Sequence, residues 1–324
     1  MTTWDWILLS GIPSSHPGGT GQMMRHLESE VLAARRFDGT IMYSPDGESL
    51  TEDQLQLLTE ASKVILFHPQ MLGVAEVLRL IELRRRARRV TSMYLLDSFF
   101  FCRRSYNHID QEWTPCLRCI GTNRSHEADR MGCSPWPKVS PGASEFAIRI
   151  GELVSAGAVS LIAQTETQRE LAHRHFGQSA AIGVAGLWCE DWQEHFDHFE
   201  SFGVDREQDG TFDVVYHGSR DLAKGLGWVL TVAAALPHLS FLVPLDRGNV
   251  TFTGPANATI RPMRWDDGLF AAIKGAKMTL VPSLWSAPCE GALIKSIVTA
   301  PAVCPAPLKL GQCPSSEYLG QAGL

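Results

Sequence analysis

Short apolar runs alternate with segments of helical period along the first half of the chain. Trp6 to Ser10, Thr40 to Tyr43, Val64 to Phe67 and Val90 to Leu96 have the length and apolar character of buried strands. Between the last two runs, apolar residues recur at helical spacing from about Leu72 to Arg88. Strands that alternate with helices are typical of βαβ units, so this half is predicted to be a doubly wound α/β domain.

The pattern breaks in the segment 97–141, which carries a cluster of cysteines together with several prolines and glycines. It then resumes with predicted helices at Ser144 to Ala156 and Glu166 to His175, and predicted strands at Ala158 to Ala163 and Ala180 to Leu187. We therefore predict a first domain over residues 1–195, with a cysteine-rich loop insertion at 97–141.

The second half repeats the alternation after a polar, aromatic stretch with few strand signals. Its predicted strands are Phe212 to Tyr216, Ser240 to Pro244 and Met278 to Val281, and its predicted helices are Leu226 to Leu236, Asp266 to Gly275 and Glu290 to Val298. This pattern predicts a linker at 196–211 and a second Rossmann-like domain at 212–324. We expect the two domains to face a central cleft, since ligands bind beyond the carboxyl ends of parallel strands.

Composition and charge exclude several classes of protein. The 324 residues are 44% hydrophobic and 20% charged, which is the balance of a globular protein with room for two cores. The formal net charge of -6 argues against nucleic acid as a partner, because binding to phosphates requires a basic surface. No apolar run reaches the ~20 residues of a membrane span and no targeting pattern opens the chain, so a cytoplasmic location is predicted.

Two strand-to-helix loops of the second half carry the candidate chemistry. The loop His217 to Gly225 passes through a glycine turn and delivers Lys224 to the start of a helix, an arrangement that suits a diphosphate. The loop Val281 to Ser296 again opens a helix after a buried strand and places Glu290 at its start. The alternatives are a solvated lysine in an ordinary loop and a glutamate that only caps its helix.

Together the two loops resemble the donor domain of family 4 of the retaining glycosyltransferases, which have the GT-B fold. The matching residues, in order, are His217-Gly218, Lys224-Gly225, Pro282-Ser283-Leu284-Trp285 and Pro288. The resemblance covers most of the second half and the first half loosely. It implies transfer of a sugar from a nucleotide-sugar donor to a glycan, lipid-linked or small-molecule acceptor with retention, as in polysaccharide biosynthesis, without a cofactor for the chemistry.

The resemblance also implies a set of donor-binding residues. Their positions here are Gly18, Gly19, Gly218, Ser219, Arg220, Lys224, Gly225, Glu290, Gly291 and Lys295. The chain departs from the family where an arginine is expected, since Ser219 stands there and Arg220 follows. The two family glutamates, eight positions apart, fall on Ala287 and Lys295, so Glu290 is the nearest carboxylate and Lys295 is predicted to meet phosphate instead.

Candidate catalytic residues are His68, Asp97 and Glu290. His68 follows the strand Val64 to Phe67 and Asp97 follows Val90 to Leu96, so both are expected at the cleft edge. The family often has His-Asp where this chain has Leu96-Asp97, and a catalytic histidine is therefore not carried over. In the front-side mechanism usually proposed for the family, the leaving phosphate itself accepts the acceptor proton, so positioning and charge stabilisation dominate.

Four cysteines, Cys102, Cys116, Cys119 and Cys133, have the number and type of ligands of a structural zinc site. An iron–sulfur cluster and ordinary free cysteines are the alternatives. Separately, arginines crowd the helix end from Arg79 to Arg89, which indicates either a solvated helix terminus or peripheral contact with an anionic membrane or a lipid-diphosphate acceptor.

The final stretch, Pro301 to Leu324, has no helical period, and family members normally continue with further elements, so the second domain is expected to be shortened. This and the substituted carboxylates leave two further functions open. One is a non-catalytic nucleotide-sugar-binding or scaffold protein, and the other is a nucleotide-sugar epimerase of the same architecture.

Overall fold

The computed structural model describes most of the chain. The described residues are 5–16, 18–32, 38–44, 49–109, 113–122, 124, 126–135, 142–186, 212–245, 253–286, 288 and 290–305. The predicted linker at 196–211, Ala287 and the chain end from 306 lie outside these ranges.

The first domain is a parallel sheet flanked by helices. Its strands are β1 (Trp6–Ser10), β2 (Gly39–Tyr43), β3 (Lys63–Phe67), β4 (Thr91–Tyr94), β5 (Val159–Ala163) and β6 (Ile182–Val184), in the spatial order β2-β1-β3-β4-β5-β6. Its helices are α1 (Gly19–His26), continued by a π-helical segment Leu27–Leu32, then α2 (Glu52–Glu60), α3 (Pro69–Leu72), α4 (Val74–Arg86), α5 (Glu127–Arg130), α6 (Ala143–Ser155) and α7 (Glu166–Phe176). The order reverses beside β1, which opens a crevice there.

The alternation of side chains along β1 explains the two covered faces. Ile7 and Leu9 point into a large core beneath α2, α4, α6 and α7, whereas Leu8 joins Met23 and Met24 of α1 in a smaller core on the other face. A strand buried on both faces must be apolar at nearly every position, as the run Trp6–Ser10 is.

The second domain repeats this plan on a smaller scale. Its strands are β7 (Val214–Tyr216), β8 (Phe241–Leu245), β9 (Ala258–Pro262), β10 (Met278–Val281) and β11 (Val303–Pro305), all parallel, in the order β11-β10-β7-β8-β9. Its helices are α8 (Leu226–Ala235), preceded by a 3₁₀ turn Leu222–Lys224, α9 (Leu269–Gly275) and α10 (Gly291–Thr299). Two sheets of parallel strands therefore confirm the predicted α/β class.

Several predicted boundaries were wrong in detail. The helix expected from about Leu72 to Arg88 is α4, which begins two residues later at Val74 and is separated from the short helix α3 by Gly73 at φ 87°. The strand expected from Val90 to Leu96 is paired only over Thr91–Tyr94. The elements that were not predicted include α2, the short helices α3 and α5, the edge strand β9 and the edge strand β11, which lies in the stretch that showed no periodicity.

Candidate functional site

A cavity of about 560 Å³ lies between the two domains, at the carboxyl ends of their strands. Both sheets contribute loops to it, as expected for open parallel sheets. Its lining comprises Ile12, His16, Gly18, Gly19, Thr20, Gln22, His68, Gln70, Met71, Leu96, Asp97, Ser105, Tyr106 and Gln164 from the first domain and Lys224, Trp285, Glu290, Gly291, Ala292 and Lys295 from the second.

Lys224 and Glu290 form an ion pair in the second-domain wall. Lys224 Nζ lies 2.6 Å from Glu290 Oε1, and the same oxygen accepts hydrogen bonds from Ser283 Oγ at 2.5 Å and Trp285 Nε1 at 3.0 Å. Burial alone would lower the pKa of Lys224, but the Glu290 carboxylate raises it above its ordinary value. The lysine therefore stays charged at the edge of the cavity.

Two aromatic rings enclose this lysine. Lys224 Nζ lies 4.7 Å from the ring centroid of Trp285 and 4.8 Å from that of Tyr106, which belongs to the first domain. Cation–π contacts of this kind contribute on the order of 1–2 kcal/mol when the cation is removed from water. The ammonium is thus held in a fixed place rather than on a freely moving side chain.

Two helix N-termini, one from each domain, open into the same cavity. Gly19 and Thr20 begin α1, and Gly291 and Ala292 begin α10, and all four residues line the cavity. Neither N-cap residue, Gly18 or Glu290, makes a side-chain capping bond. The first N–H groups of a helix have no intrahelical partner and carry partial positive charge, so each terminus favours an anion.

Lys295, on the first turns of α10, adds a second ammonium group to this wall. Its Nζ lies 5.0 Å from the ring centroid of Trp265, which stacks on the His217 ring at 5.3 Å. Burial, with the Lys295 charge adding to it, lowers the pKa of His217 to about 3. His217 is therefore neutral, and its Nδ1 shares a hydrogen bond of 2.8 Å with Ser296 Oγ.

The opposite wall carries a polar network around His68. His68 lies directly after β3 and has φ of 52°, a left-handed conformation that is unfavourable for a residue with a side chain. Its Nε2 shares a hydrogen bond of 2.7 Å with Thr20 Oγ1. Its Nδ1 lies 3.2 Å from Gln70 Nε2 and 3.7 Å from Asp97 Oδ2.

Burial moves the pKa values of His68 and Asp97 in opposite directions. It lowers the pKa of His68 to about 3, with the His16 charge adding to the effect. It raises the pKa of Asp97 to about 6, against hydrogen bonds from the Phe99 N–H, Ser105 and Gln70 that favour the carboxylate. Near neutral pH the pair is a neutral imidazole beside an ionised carboxylate.

Most of the predicted site residues meet in this one cavity. Gly18, Gly19, His68, Asp97, Lys224, Glu290, Gly291 and Lys295 all line it. The other predicted donor contacts, Gly218, Ser219, Arg220 and Gly225, are not among its lining residues. Ser219 and Arg220 are exposed, whereas Gly225 allows the two donor loops to meet, since a side chain there would overlap Pro282.

Some residues of the cavity wall were not predicted from the sequence. They come from the cysteine-rich segment and from the starts of helices. Tyr106, Thr20 and Gln70 each contact a predicted site residue, but Tyr106 and Gln70 belong to no recognisable motif. Thr20 was within reach of prediction, because it follows the glycine pair at the start of α1.

The four cysteines of the insertion are free thiols. Cys102 and Cys119 are buried in the first-domain core, and burial raises the pKa of their thiols to about 12 and about 11. The described residues contain no group of three or more histidine, cysteine, aspartate or glutamate side chains that could hold a metal ion. Structural zinc at these cysteines stays a prediction from their spacing.

The arginine cluster is largely engaged within the protein. Arg84 is fully buried and donates to the backbone carbonyls of Leu58, Ala61 and Val90. The neighbouring Arg79 pairs with Glu52, and Arg85 and Arg86 share Glu82. The membrane contact expected here stays a prediction, and fewer arginines than expected are available for it because several are paired within the protein.

Within the described ranges, no helix combines the length and apolar character needed to cross a bilayer.

Comparisons with known proteins identify the fold of this chain but assign the chain to no family. No protein-family model matches the chain, and no curated protein matches its sequence. Among solved structures, HepE from Anabaena in complex with UDP superposes with a TM-score of 0.55 at 10% identity, over 93% of this chain and 80% of HepE. An α-glucosyltransferase in complex with UDP and a DNA 13-mer gives 0.49 at 9% identity, over 94% and 79%. The likeness to HepE shows that the chain has the two-domain architecture of the GT-B type.

Proposed function

We propose that this protein is a glycosyltransferase that takes its sugar from a nucleoside-diphosphate donor. One observation carries the proposal: the N-termini of α1 and α10 and the ammonium groups of Lys224 and Lys295 line the same interdomain cavity. Four sources of positive potential around one space suit a diphosphate. The similar fold of HepE, which holds UDP, makes UDP the first nucleotide to test.

The donor diphosphate is proposed to lie at the start of α10, where Gly291 and Ala292 line the cavity. Lys224 keeps its bond to Glu290 and adds its charge from the side, while Lys295 approaches from the next turn. The negative charge that develops on the leaving diphosphate is then balanced by fixed groups that need no rearrangement. No cofactor is required for this step, because the lysines and helix termini supply the stabilising charge.

The acceptor is proposed to bind beside the first-domain network, where Thr20, His68 and Asp97 line the cavity. An imidazole with a pKa of about 3 is a weak base, so His68 orients an acceptor hydroxyl rather than deprotonating it. The proton passes to the departing phosphate, as in the front-side mechanism with retention of the family 4 enzymes that the donor loops resemble. The acceptor class is a glycan, lipid-linked or small hydroxyl compound.

A second candidate function is binding of a nucleotide sugar without catalysis. It is favoured by Glu290, whose Oε1 is already bonded to Lys224, Ser283 and Trp285, and by Lys295, which stands where the similar family has a carboxylate. Both candidates predict UDP binding, so binding tests the site and turnover separates the two functions.

Calorimetric titration with UDP, compared between the wild type and Lys224→Met, tests the donor site. We expect UDP to bind the wild type and the variant to bind at least about tenfold more weakly, since a desolvated charged hydrogen bond contributes roughly 1.5–3 kcal/mol. Lys274→Met, on the exposed side of α9, is the matched control and should bind like the wild type. Equal affinity of all three proteins would place UDP elsewhere.

A further inference from the structure

A loop of the first domain enters the second domain beside the donor loops. Ser105, Tyr106 and Asn107 belong to the segment after β4, and Asn107 is only 1% exposed. The Tyr106 ring packs at 4.5 Å on Trp285, and the Asn107 amide bonds to Ser286. The contact joins the cysteine-rich segment directly to the loop that precedes α10.

The hydrogen-bonding capacity of the Asn107 side chain is completely used. Its Oδ1 accepts from Ser98 Oγ at 2.8 Å and from the Ser286 N–H at 2.9 Å. Its Nδ2 donates to the Cys116 carbonyl and to Ser286 Oγ, both at 2.9 Å. A primary amide has two acceptor and two donor positions, so a single buried side chain ties together three segments from two domains.

The held loop is the one that organises the donor wall. Ser286 directly follows Trp285, whose indole N–H donates to Glu290, and Glu290 in turn holds Lys224. The Leu284 N–H donates to the Ala223 carbonyl at 2.8 Å, which fastens this loop to the loop that carries Lys224. A displacement of Ser286 would therefore be passed on to Trp285, Glu290 and Lys224.

We infer that Asn107 is a positioning residue: from the first domain, it holds the loop 283–286 so that Trp285, Glu290 and Lys224 are ordered before the donor binds. The inference deepens the proposed function and rests on it for the role of the ordered wall. Asn107 itself is not among the residues that line the cavity, so its effect is exerted through Ser286 and Trp285.

Ser286→Ala and Ser98→Ala form a matched pair of variants. Each removes one serine hydroxyl that bonds to Asn107, but Ser286 lies in the second domain and Ser98 in the first. A merely structural role for Asn107 predicts similar effects of the two variants. A positioning role predicts that Ser286→Ala, and more strongly Asn107→Ala, disturbs the donor loop, whereas Ser98→Ala does not.

Hydrogen–deuterium exchange of the ligand-free proteins measures directly how well the loop 283–286 and its neighbours are ordered. We expect faster exchange in peptides that cover residues 281–296 for Ser286→Ala and Asn107→Ala, and wild-type exchange there for Ser98→Ala. Wild-type exchange in Ser286→Ala, or equal acceleration in Ser286→Ala and Ser98→Ala, would overturn the inference. If Asn107→Ala does not fold, the comparison of Ser286→Ala with Ser98→Ala is sufficient to test the inference.

The affinity for UDP is the second readout. Ser286→Ala should weaken UDP binding at least threefold, with Ser98→Ala unchanged. Failure of the wild type to bind UDP or any other nucleoside diphosphate would refute the proposed function, while the exchange data would still decide whether Asn107 positions the loop.

Discussion

Asp97 and His68 lie in contact on one wall of the cavity, yet only Asp97 is expected to change protonation state near neutral pH. Burial raises the pKa of Asp97 from 3.8 to about 6 and lowers that of His68 to about 3. Because the folded pKa of Asp97 lies above its ordinary value, its ionisation costs stability as the pH rises from about 4 to about 6. A carboxyl group that stays buried although its ionisation lowers the stability of the fold is a candidate functional group.

We predict that kcat/KM rises with pH through an apparent pKa near 6 that belongs to Asp97. Asp97→Asn should remove this rise and lower the activity roughly tenfold or more, because an acceptor hydroxyl at this wall would lose a hydrogen bond to a charged group, which contributes roughly 1.5–3 kcal/mol. His68→Asn is the control and should lower the activity but keep the rise. If the rise of kcat/KM with pH disappears in His68→Asn and persists in Asp97→Asn, the titrating group is His68 and not Asp97.

The order in which the four cysteines of the insertion react with an alkylating reagent tests their burial and the pKa of their thiols. At pH 8, iodoacetamide should modify Cys116 and Cys133, which are partly exposed, well before Cys102 and Cys119, whose raised thiol pKa values keep them protonated. Peptide mass spectrometry gives the order, and the denatured protein, in which all should react, is the control. Protection of all four until a chelator is added would contradict this and support the zinc prediction.

At the residue scale, the sequence predicts charged groups near strand ends better than it predicts their partners. Lys224 and Glu290 end the loops that follow two buried strands, and Lys295 lies on the helix that comes next, so their place at the cleft is a consequence of parallel topology. Tyr106 and Asn107 lie in an irregular segment, and only tertiary packing brings them to the second domain.

Among the elements, the 3₁₀ turn Leu222–Lys224 and α8 meet at Gly225, which is predicted to tolerate no side chain. Its φ is 88°, and an added Cβ would overlap the Pro282 carbonyl oxygen. Gly157 has a similar φ of 69°, but an added Cβ there would meet nothing within 4 Å. Comparing alanine at the two positions separates backbone strain from the contact between the donor loops.

We expect Gly157→Ala to lower the free energy of unfolding by roughly 1–2 kcal/mol, the cost of the left-handed conformation. Gly225→Ala should cost a further ~1–3 kcal/mol, because the two loops must separate. Urea unfolding measures both changes. Equal losses in the two variants would show that the loop contact contributes nothing to stability.

Sequence patterns predict every central strand, and they also predict the edge strands β2 and β6 of the first domain. β1, β3, β8 and β10 are buried on both sides or nearly so and read as apolar runs. The edge strands β9 and β11 are partly exposed and mixed in character, so no alternation marks them. α2 was missed although Thr51 and Gln54 form a capping box that could have indicated its start.

For the whole molecule, the GT-B-type arrangement follows from two repeats of the βαβ pattern, and the match to HepE confirms it. Where the domains meet could not be predicted, because it depends on side chains such as Tyr106 and Trp285 whose contacts cross the cleft. The preformed ion pair of Lys224 and Glu290 was likewise not predicted, since each residue was assigned its own contact with the donor.

The central claim is that the interdomain cavity turns over a nucleotide sugar, and donor turnover tests it most directly. Purified protein is incubated with a panel of nucleoside-diphosphate sugars, with and without glycan acceptors, and release of nucleoside diphosphate is measured. We predict release from one donor, increased by an acceptor and abolished in Lys224→Met. Binding of a donor without hydrolysis, transfer or epimerisation under any condition would contradict the enzyme and leave a nucleotide-sugar-binding protein.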